Sequence, residues 1–305
     1  MPVHPALPAA VSGYAVRGPT WQRWVSALPG LRQDLMDEWG LDLDGDSMYG
    51  QCALVDPVHT GDGQPAVLKI GWPHWEADHE QLALRHWAGD GAVRLLRADP
   101  RRYALLLERA DAGRDLNAVP DIEACEIVAA LYDRLHVPAT PALRLLSDQA
   151  ARWSRQLRAM PVTAPLPRRL VEQAAALAAD LAVDPTCDGR LVHTDLHYDN
   201  VLAATREPWL VIDPKPLSGD PHFEVAPLLW NRWDELVATG DVRTAIRTRF
   251  HTVVDAASLD ESRGRDWVVV RELVNAMWTI AGDEPVRELD NHVTACVSVA
   301  KAVQD

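Results

Sequence analysis

Lysine is nearly missing from this chain. Only Lys69, Lys215 and Lys301 occur among 30 basic residues, and arginine supplies the rest. A surviving lysine marks a place where a compact ammonium on a flexible stem serves better than a planar fork, as when one point charge must reach phosphate oxygens. Chance retention stays open for each one taken alone. Cysteine is scarce too: Cys52, Cys125, Cys187 and Cys296 lie far apart with no C-x-x-C spacing, which excludes a zinc knuckle and a disulfide framework and fits a reducing cytosol. No run of about 18 apolar residues exists, and "MPVHPALPAAVSG" has no basic segment and is broken by prolines, so a soluble, unexported, cytoplasmic protein is expected. Positive charge is in deficit, with 30 basic against 44 acidic side chains and a net charge of −14. That balance argues against nucleic acid and membrane as partners and would attract a cationic ligand, although carboxylates that merely keep the surface soluble give the same total.

The 305 residues suffice for one large domain or two lobes. "TWQRWVSALPGLRQDLMDEWGL" repeats apolar residues at helical spacing, and Pro29-Gly30 predicts a division into two short helices that form a leader. "SMYGQCALVDPV" and "QPAVLKIGW" read as strands joined by the turn "HTGDG", with Lys69 closing the second. A helix over 76–89 ends at Gly89, and two more strands flank Asp99-Pro100. Helices are expected at 121–136, near 145–159, near 167–182 and over most of 223–304, with 191–215 as the one strand-like interruption. This predicts an α+β chain: a small antiparallel sheet lobe with one helix over 1–107, a hinge at 108–113, and a larger, mainly helical lobe over 114–305.

The stretch "LVHTDLHYDNVLAATREPWLVIDPK" (191–215) concentrates the chemistry. His193, Asp195 and Asn200 match the H-x-D-x-x-x-x-N spacing of a kinase catalytic loop, in which the aspartate accepts the proton of a substrate hydroxyl and the asparagine binds magnesium. "NVLAA" and "WLVID" form a hairpin across "TREP" that returns Asp213 toward Asn200, giving two hard oxygen ligands for the magnesium ions that bridge ATP phosphates. A metal site built on His193 and His197, four apart, is the competing interpretation, and a bland buried polar loop is another.

Those blocks carry a resemblance. "HTDLHYDNVL", "REPWLVIDPK" and "GDPHFEVAPLLWNRW" resemble the aminoglycoside phosphotransferases, in the branch of streptomycin 6-kinases and hydroxyurea phosphotransferases, small-molecule kinases with a bilobal protein-kinase-like fold. The resemblance implies that Asp195 is the catalytic base, that Asn200 and Asp213 hold magnesium, and that Lys69 contacts the ATP α- and β-phosphates. Glu80 is then the partner that orients Lys69, with Glu76, taken as one turn earlier on the same helix face, as the runner-up. Backbone groups of Glu108 and Ala110, in "YALLLERAD", would meet the adenine edge. "DSMYGQCALV" would cover the phosphates, with Gly50 permitting close approach. A single glycine departs from G-x-G-x-x-G, so Ser47 and backbone amides are an alternative grip. Other departures are Thr194, where many of these enzymes have glycine, Asp213-Pro214-Lys215 in place of D-F-G, and the lack of a following A-P-E.

Lys215 is a candidate contact for the transferring phosphate. For the acceptor, "LLWNRWDEL" follows closely enough to line the helical lobe beside Asp195: Trp230 and Trp233 could pack on a sugar face, and Asp234 and Glu235 could pair with ammonium or guanidinium groups. Tryptophans three apart on a helix can equally be core, and Glu272, Asp283, Glu284 and Asp290 are rival acidic candidates. The expectation is an ATP- and Mg2+-dependent phosphotransferase acting on a hydroxyl of a cationic, streptomycin-like antibiotic, with resistance following from the resemblance alone. Alternatives are a hydroxyurea or small-metabolite kinase and, in another class, a pseudokinase that binds nucleotide without turnover.

Overall fold

The computed structural model describes residues 6–282 and 286–304, without the side chains of 286–288. Two compact units divide the chain: residues up to Asp111 with Ala204–Leu210, and Ala112–Ala203 with the chain from Val211 onward. No described helix is long and apolar enough to cross a membrane.

In the first unit, α1 (Ala9–Gly13) and a 3-10 turn lead into α2 (Pro19–Trp39). The expected division at Pro29-Gly30 is not there, and α2 runs through both residues. Its buried stripe, Trp24, Leu28, Arg32, Leu35, Met36 and Trp39, packs at helical spacing on the sheet, and that burial outweighs the roughly 3 kcal/mol cost of an interior proline. The sheet comprises β1 (Leu41–Leu43), β2 (Met48–Tyr49), β3 (Ala53–Thr60), β4 (Pro65–Gly71), β5 (Leu95–Asp99) and β6 (Ala104–Glu108), all antiparallel in the order β1-β3-β4-β6-β5 with β2 added to β3. Strand alternation decides where Lys69 goes. Ala66, Leu68 and Ile70 of β4 join the core under α2, so Lys69 projects from the other face, the one beside α3 (Glu80–Trp87). The expected start of that helix at 76 is also corrected: Ala77–His79 form a 3-10 turn, and the α-helix begins at Glu80.

The second unit opens on β7 (Asp111–Asp115), whose first residue belongs to the first unit, and continues through α4 (Asp121–Leu135), α5 (Leu146–Ala159) and α6 (Arg168–Val183). Then come β8 (Arg190–Val192), β9 (Val201–Ala203), β10 (Trp209–Val211) and β11 (Leu217–Gly219). Among the described residues five helices follow: α7 (Ala226–Leu229), α8 (Trp233–Ala238), α9 (Val242–Ala256), α10 (Glu261–Ala281) and α11 (Val286–Ala302). Here α5 packs on α6, α4 on α9, and α10 on α6 and α11. The chemistry-bearing stretch is therefore not the only strand region of this half, because β7 and β11 lie outside 191–215. β8 and β11 pair antiparallel, Val192 opposite Leu217, which brings residues 193–200 and 213–215 to one end of a two-stranded ribbon. A Cβ at Gly219 would stand 2.7 Å from Val192 Cγ2, so this close pairing requires glycine.

Candidate active site

In the first unit, Lys69 Nζ donates to both carboxylate oxygens of Glu80, each at 2.7 Å. The pair is largely buried, with side-chain exposures of 14% and 6%. Because α3 starts only at Glu80, Glu76 lies before a 3-10 turn, a third exposed and beside His74. Gly50 sits in the turn of the β2–β3 hairpin, where its N–H donates to Ala53 O at 3.1 Å. Its φ is not left-handed, and a Cβ there would meet nothing within 4 Å, so no backbone or packing demand within the chain requires glycine at this position. Ser47, the alternative grip, donates to Asp56 and accepts from Arg32. It thereby joins the buried Arg32–Asp56 ion pair, 2.9 Å long, that ties α2 to β3. At the end of β6 the Glu108 N–H donates to Arg94 O at 2.9 Å. Its carboxylate takes a two-pronged bond from Arg206, both contacts at 2.9 Å. Burial alone would raise that carboxyl, yet the Arg206 bonds hold it below its ordinary range. Half-buried Ala110 follows two residues on.

In the second unit, residues 193–200 form a loop pinned at several atoms. His193 Nδ1 accepts from the Asp195 N–H at 3.2 Å and Nε2 donates to Ile212 O at 2.9 Å, a neutral tautomer that agrees with burial pushing the ring down to about 3. Thr194 is left-handed, with φ 66°. Its N–H donates to Glu224 Oε1 at 2.6 Å and its hydroxyl to Lys215 O at 2.7 Å. Glu224 is fully buried, and burial pushes its carboxyl up to about 8. Asp195, on the same loop, is raised by burial against the pull of His197, Arg271 and Lys215.

Asn200 Nδ2 donates to Asp195 O at 2.8 Å and also contacts His197 Nε2, so the amide is turned with Oδ1 as its remaining polar atom. The Ile212 N–H donates to Asn200 O at 3.0 Å, which carries Asp213 back beside Asn200. Asp213 has φ 55° and is paired through Oδ1 with Lys215 Nζ at 2.7 Å. Lys215 is only 14% exposed, so it does not decorate the surface. Asn200 and Asp213 thus offer hard oxygens, a donor set that suits magnesium. The His193–His197 alternative fails on geometry. Both His193 nitrogens are bonded within the loop, His197 Nδ1 pairs with Asp199 at 3.0 Å, and among the described residues no group of three His, Cys, Asp or Glu side chains is placed to hold a metal.

The acceptor candidates separate. Trp230 ends α7 and Trp233 starts α8, with Arg232 at φ 47° between them, so the two rings do not share one helix face as their spacing suggested. Both are half-buried, Asp234 and Glu235 are exposed, and Glu235 pairs with Arg232 at 3.0 Å. Between the tryptophans, buried Asn231 accepts from the Tyr198 N–H at 3.3 Å and so supports the loop. Glu272 is 1% exposed against Cys296, which removes it from contact with any acceptor. Asp290 is exposed on α11, and Asp283 and Glu284 lie outside the described residues. Sequence reasoning missed the pins: His193 as a hinge of hydrogen bonds, Glu224 and Arg206. Glu224 stood inside a recognisable block, but nothing local marked it as buried.

A model of the family described as aminoglycoside/hydroxyurea antibiotic resistance kinase matches residues 38–282. A streptomycin 6-kinase of Streptomyces glaucescens is 43% identical over 301 residues, covering 97% of this chain and 96% of that protein. A hydroxyurea phosphotransferase of Kitasatospora aureofaciens is 40% identical over 284 residues, 89% of this chain and 80% of that one. Among solved structures, a thermostable aminoglycoside phosphotransferase variant, in ternary complex with ADP and hygromycin B, aligns with a TM-score of 0.58 at 18% identity over 90% of this chain and 98% of that one. At such identity the likeness is one of fold, and it agrees with the protein-kinase-like α+β architecture expected from the sequence.

Proposed function

We propose, because the chain belongs to the aminoglycoside/hydroxyurea antibiotic resistance kinase family, that it transfers the γ-phosphoryl group of ATP to a hydroxyl of a cationic, streptomycin-type aminoglycoside. The acceptor oxygen forms a bond to the γ-phosphorus as the bond to the β–γ bridging oxygen breaks, and ADP leaves. Asp195 orients the acceptor hydroxyl and takes its proton late, a role its raised pKa favours over that of an ordinary aspartate. Lys69, held by Glu80, neutralises α- and β-phosphate oxygens, and the Gly50 turn covers the phosphates. Backbone groups of Glu108 and Ala110 meet the adenine. Asn200 Oδ1 and the Asp213 carboxylate would hold magnesium, which when bound would neutralise phosphate charge. Lys215, beside Asp213, adds a cation where charge builds on the transferring group. Trp230, Trp233, Asp234 and Glu235 serve the acceptor through ring faces and carboxylates.

The observation that carries the substrate is the 43% identity to a streptomycin 6-kinase along almost the whole chain. The net charge of −14 suits a cationic acceptor. Purified protein with ATP and Mg2+ is offered streptomycin, other amino-cyclitols and hydroxyurea, with ADP release and the mass of the acceptor as readouts. Streptomycin gaining one phosphoryl group, with turnover falling roughly 10²–10⁴-fold in Asp195→Ala, is the expected outcome. Turnover with hydroxyurea alone would favour the reading suggested by the second relative, and nucleotide binding without turnover on any acceptor would overturn transfer altogether.

A further inference from the structure

The leader Ala9–Trp39 lies almost wholly outside the span matched by the family model, and it does more than cover the sheet. Tyr14, in the 3-10 turn between α1 and α2, donates its hydroxyl to Gly50 O. Arg17 Nη1, from the same turn, donates to Gln51 O at 2.7 Å. The next carbonyl, Cys52 O, accepts from the Trp72 N–H at 2.7 Å. Three consecutive carbonyls of one turn are therefore each held by a hydrogen bond, the first two by the leader. In a trans peptide the C=O of one residue and the N–H of the next point in opposite directions, so fixing Gly50 O aims the Gln51 N–H away from the leader. Amides held in fixed directions by bonds to the carbonyls before them are what an anion meets at a backbone nest.

The donors are themselves held. The Arg17 guanidinium lies over the rings of Tyr14 and Trp21, at 4.4 and 4.9 Å from their centroids. Trp21 stacks on Trp72 with centroids 4.1 Å apart and planes within 6°, and Trp72 stacks in turn on His74. Tyr14 packs edge-on to Trp21. The ladder thus runs from the leader to the residue whose N–H holds Cys52 O. A glycine turn with no positive φ and open space at its Cβ gains its shape from these contacts and not from its own backbone preference.

We infer that Tyr14 and Arg17 are positioning residues for nucleotide binding: by gripping the Gly50 and Gln51 carbonyls they set the direction in which the turn presents its amides to the phosphates. This rests on the proposal above that the turn covers the phosphates. The test is the dissociation constant of a non-hydrolysable ATP analogue with Mg2+, measured by calorimetry for wild type, Tyr14→Phe, Arg17→Gln and Lys69→Met. Steady-state kinetics and amide exchange over 48–53 accompany it. Loss of either carbonyl bond should weaken the analogue roughly fivefold or more, raise KM for ATP in step, leave kcat and the acceptor KM within about twofold, and speed exchange in the turn but not in β4 or β6. Arg17 is exposed, so its variant keeps the experiment informative should Tyr14→Phe fold poorly. Unchanged analogue affinity in Arg17→Gln, while Lys69→Met loses binding, would overturn this inference and leave the proposed function standing. A drop in kcat together with both KM values rising and the thermal midpoint falling would mark the leader as merely structural and overturn it as well. Wild-type affinity in Lys69→Met would overturn the nucleotide role of the first unit, and this inference with it.

Discussion

Thr194 holds a β-branched side chain at φ 66°, immediately before Asp195. A non-glycine residue there carries strain on the order of 1–3 kcal/mol, which persists only where the surroundings fix it. Two bonds do so: N–H to Glu224 and hydroxyl to Lys215 O. The second of these joins the loop of Asp195 to the segment of Asp213. Thr194→Val keeps the shape and strain but removes the hydroxyl, so stability should fall by about 1–2 kcal/mol and kcat by roughly tenfold. Thr194→Gly relieves the strain as it loses the same bond, and its stability should lie within about 1 kcal/mol of wild type. Urea midpoints and kcat for the two variants test this; a Val variant as stable as the Gly variant would refute the strain argument. Legibility divides at this residue. Asp195 and Asn200 stood out as candidates because a five-residue offset is a local pattern, and Lys69 because it broke the chain's preference for arginine. The left-handed turn at Thr194 is imposed by buried Glu224, 30 positions away in sequence, and no local pattern reports that.

α2 shows the same division at the scale of an element. Pro29 and Gly30 are both breakers, and a propensity sum over this window favours two helices. The helix continues because its apolar stripe faces the sheet while Pro29 and Gly30 lie on the exposed side, where a missing N–H costs less. β7 was missed for the converse reason. "DAGRD" is exposed at four of its five positions and has no alternation, so only its strand partner β9 makes it a strand. β11 is three residues long and defined by its pairing with β8. Long, one-sided elements were legible in kind, though not in whether α2 would break at Pro29-Gly30, and short ones defined by partners were not. Gly30 then supplies a direct test. It is exposed in mid-helix, and a Cβ there meets nothing within 4 Å. Gly30→Ala should raise unfolding free energy by about 0.5–1 kcal/mol with kcat unchanged. A loss of stability would show that α2 is not continuous there in solution.

At the scale of the whole molecule, the distribution of buried ionisable groups fixes how stability depends on pH. Glu224 and Glu272 are fully buried carboxyls, each pushed up to about 8 by burial. A carboxyl raised in the folded state contributes stability that is complete below its unfolded pKa, about 4.3, and is lost as pH rises through the folded value. His136 and His193 work in the other direction. Burial pushes both down to about 3, so their contribution is present above the unfolded histidine value of about 6.5 and is lost as pH falls below it. Below about pH 6 the two pairs nearly cancel, since each unfolded histidine gains the proton that each unfolded glutamate has lost. Between pH 6.5 and 8 His136 and His193 fall silent and the acids remain, so stability should decline as pH rises, by up to about 1.4 kcal/mol per pH unit for each acid. Glu272 is buried on α10 against Cys296 and has no part in the proposed reaction, so Glu272→Gln isolates one of these protons. Urea unfolding of both proteins at pH 6.5, 7.2 and 8 should show the variant gaining on wild type by on the order of 1–2 kcal/mol across that range. Curves that stay parallel would mean that Glu272 ionises in the folded protein as readily as in the unfolded chain, which its 1% exposure forbids unless α10 and α11 part in solution.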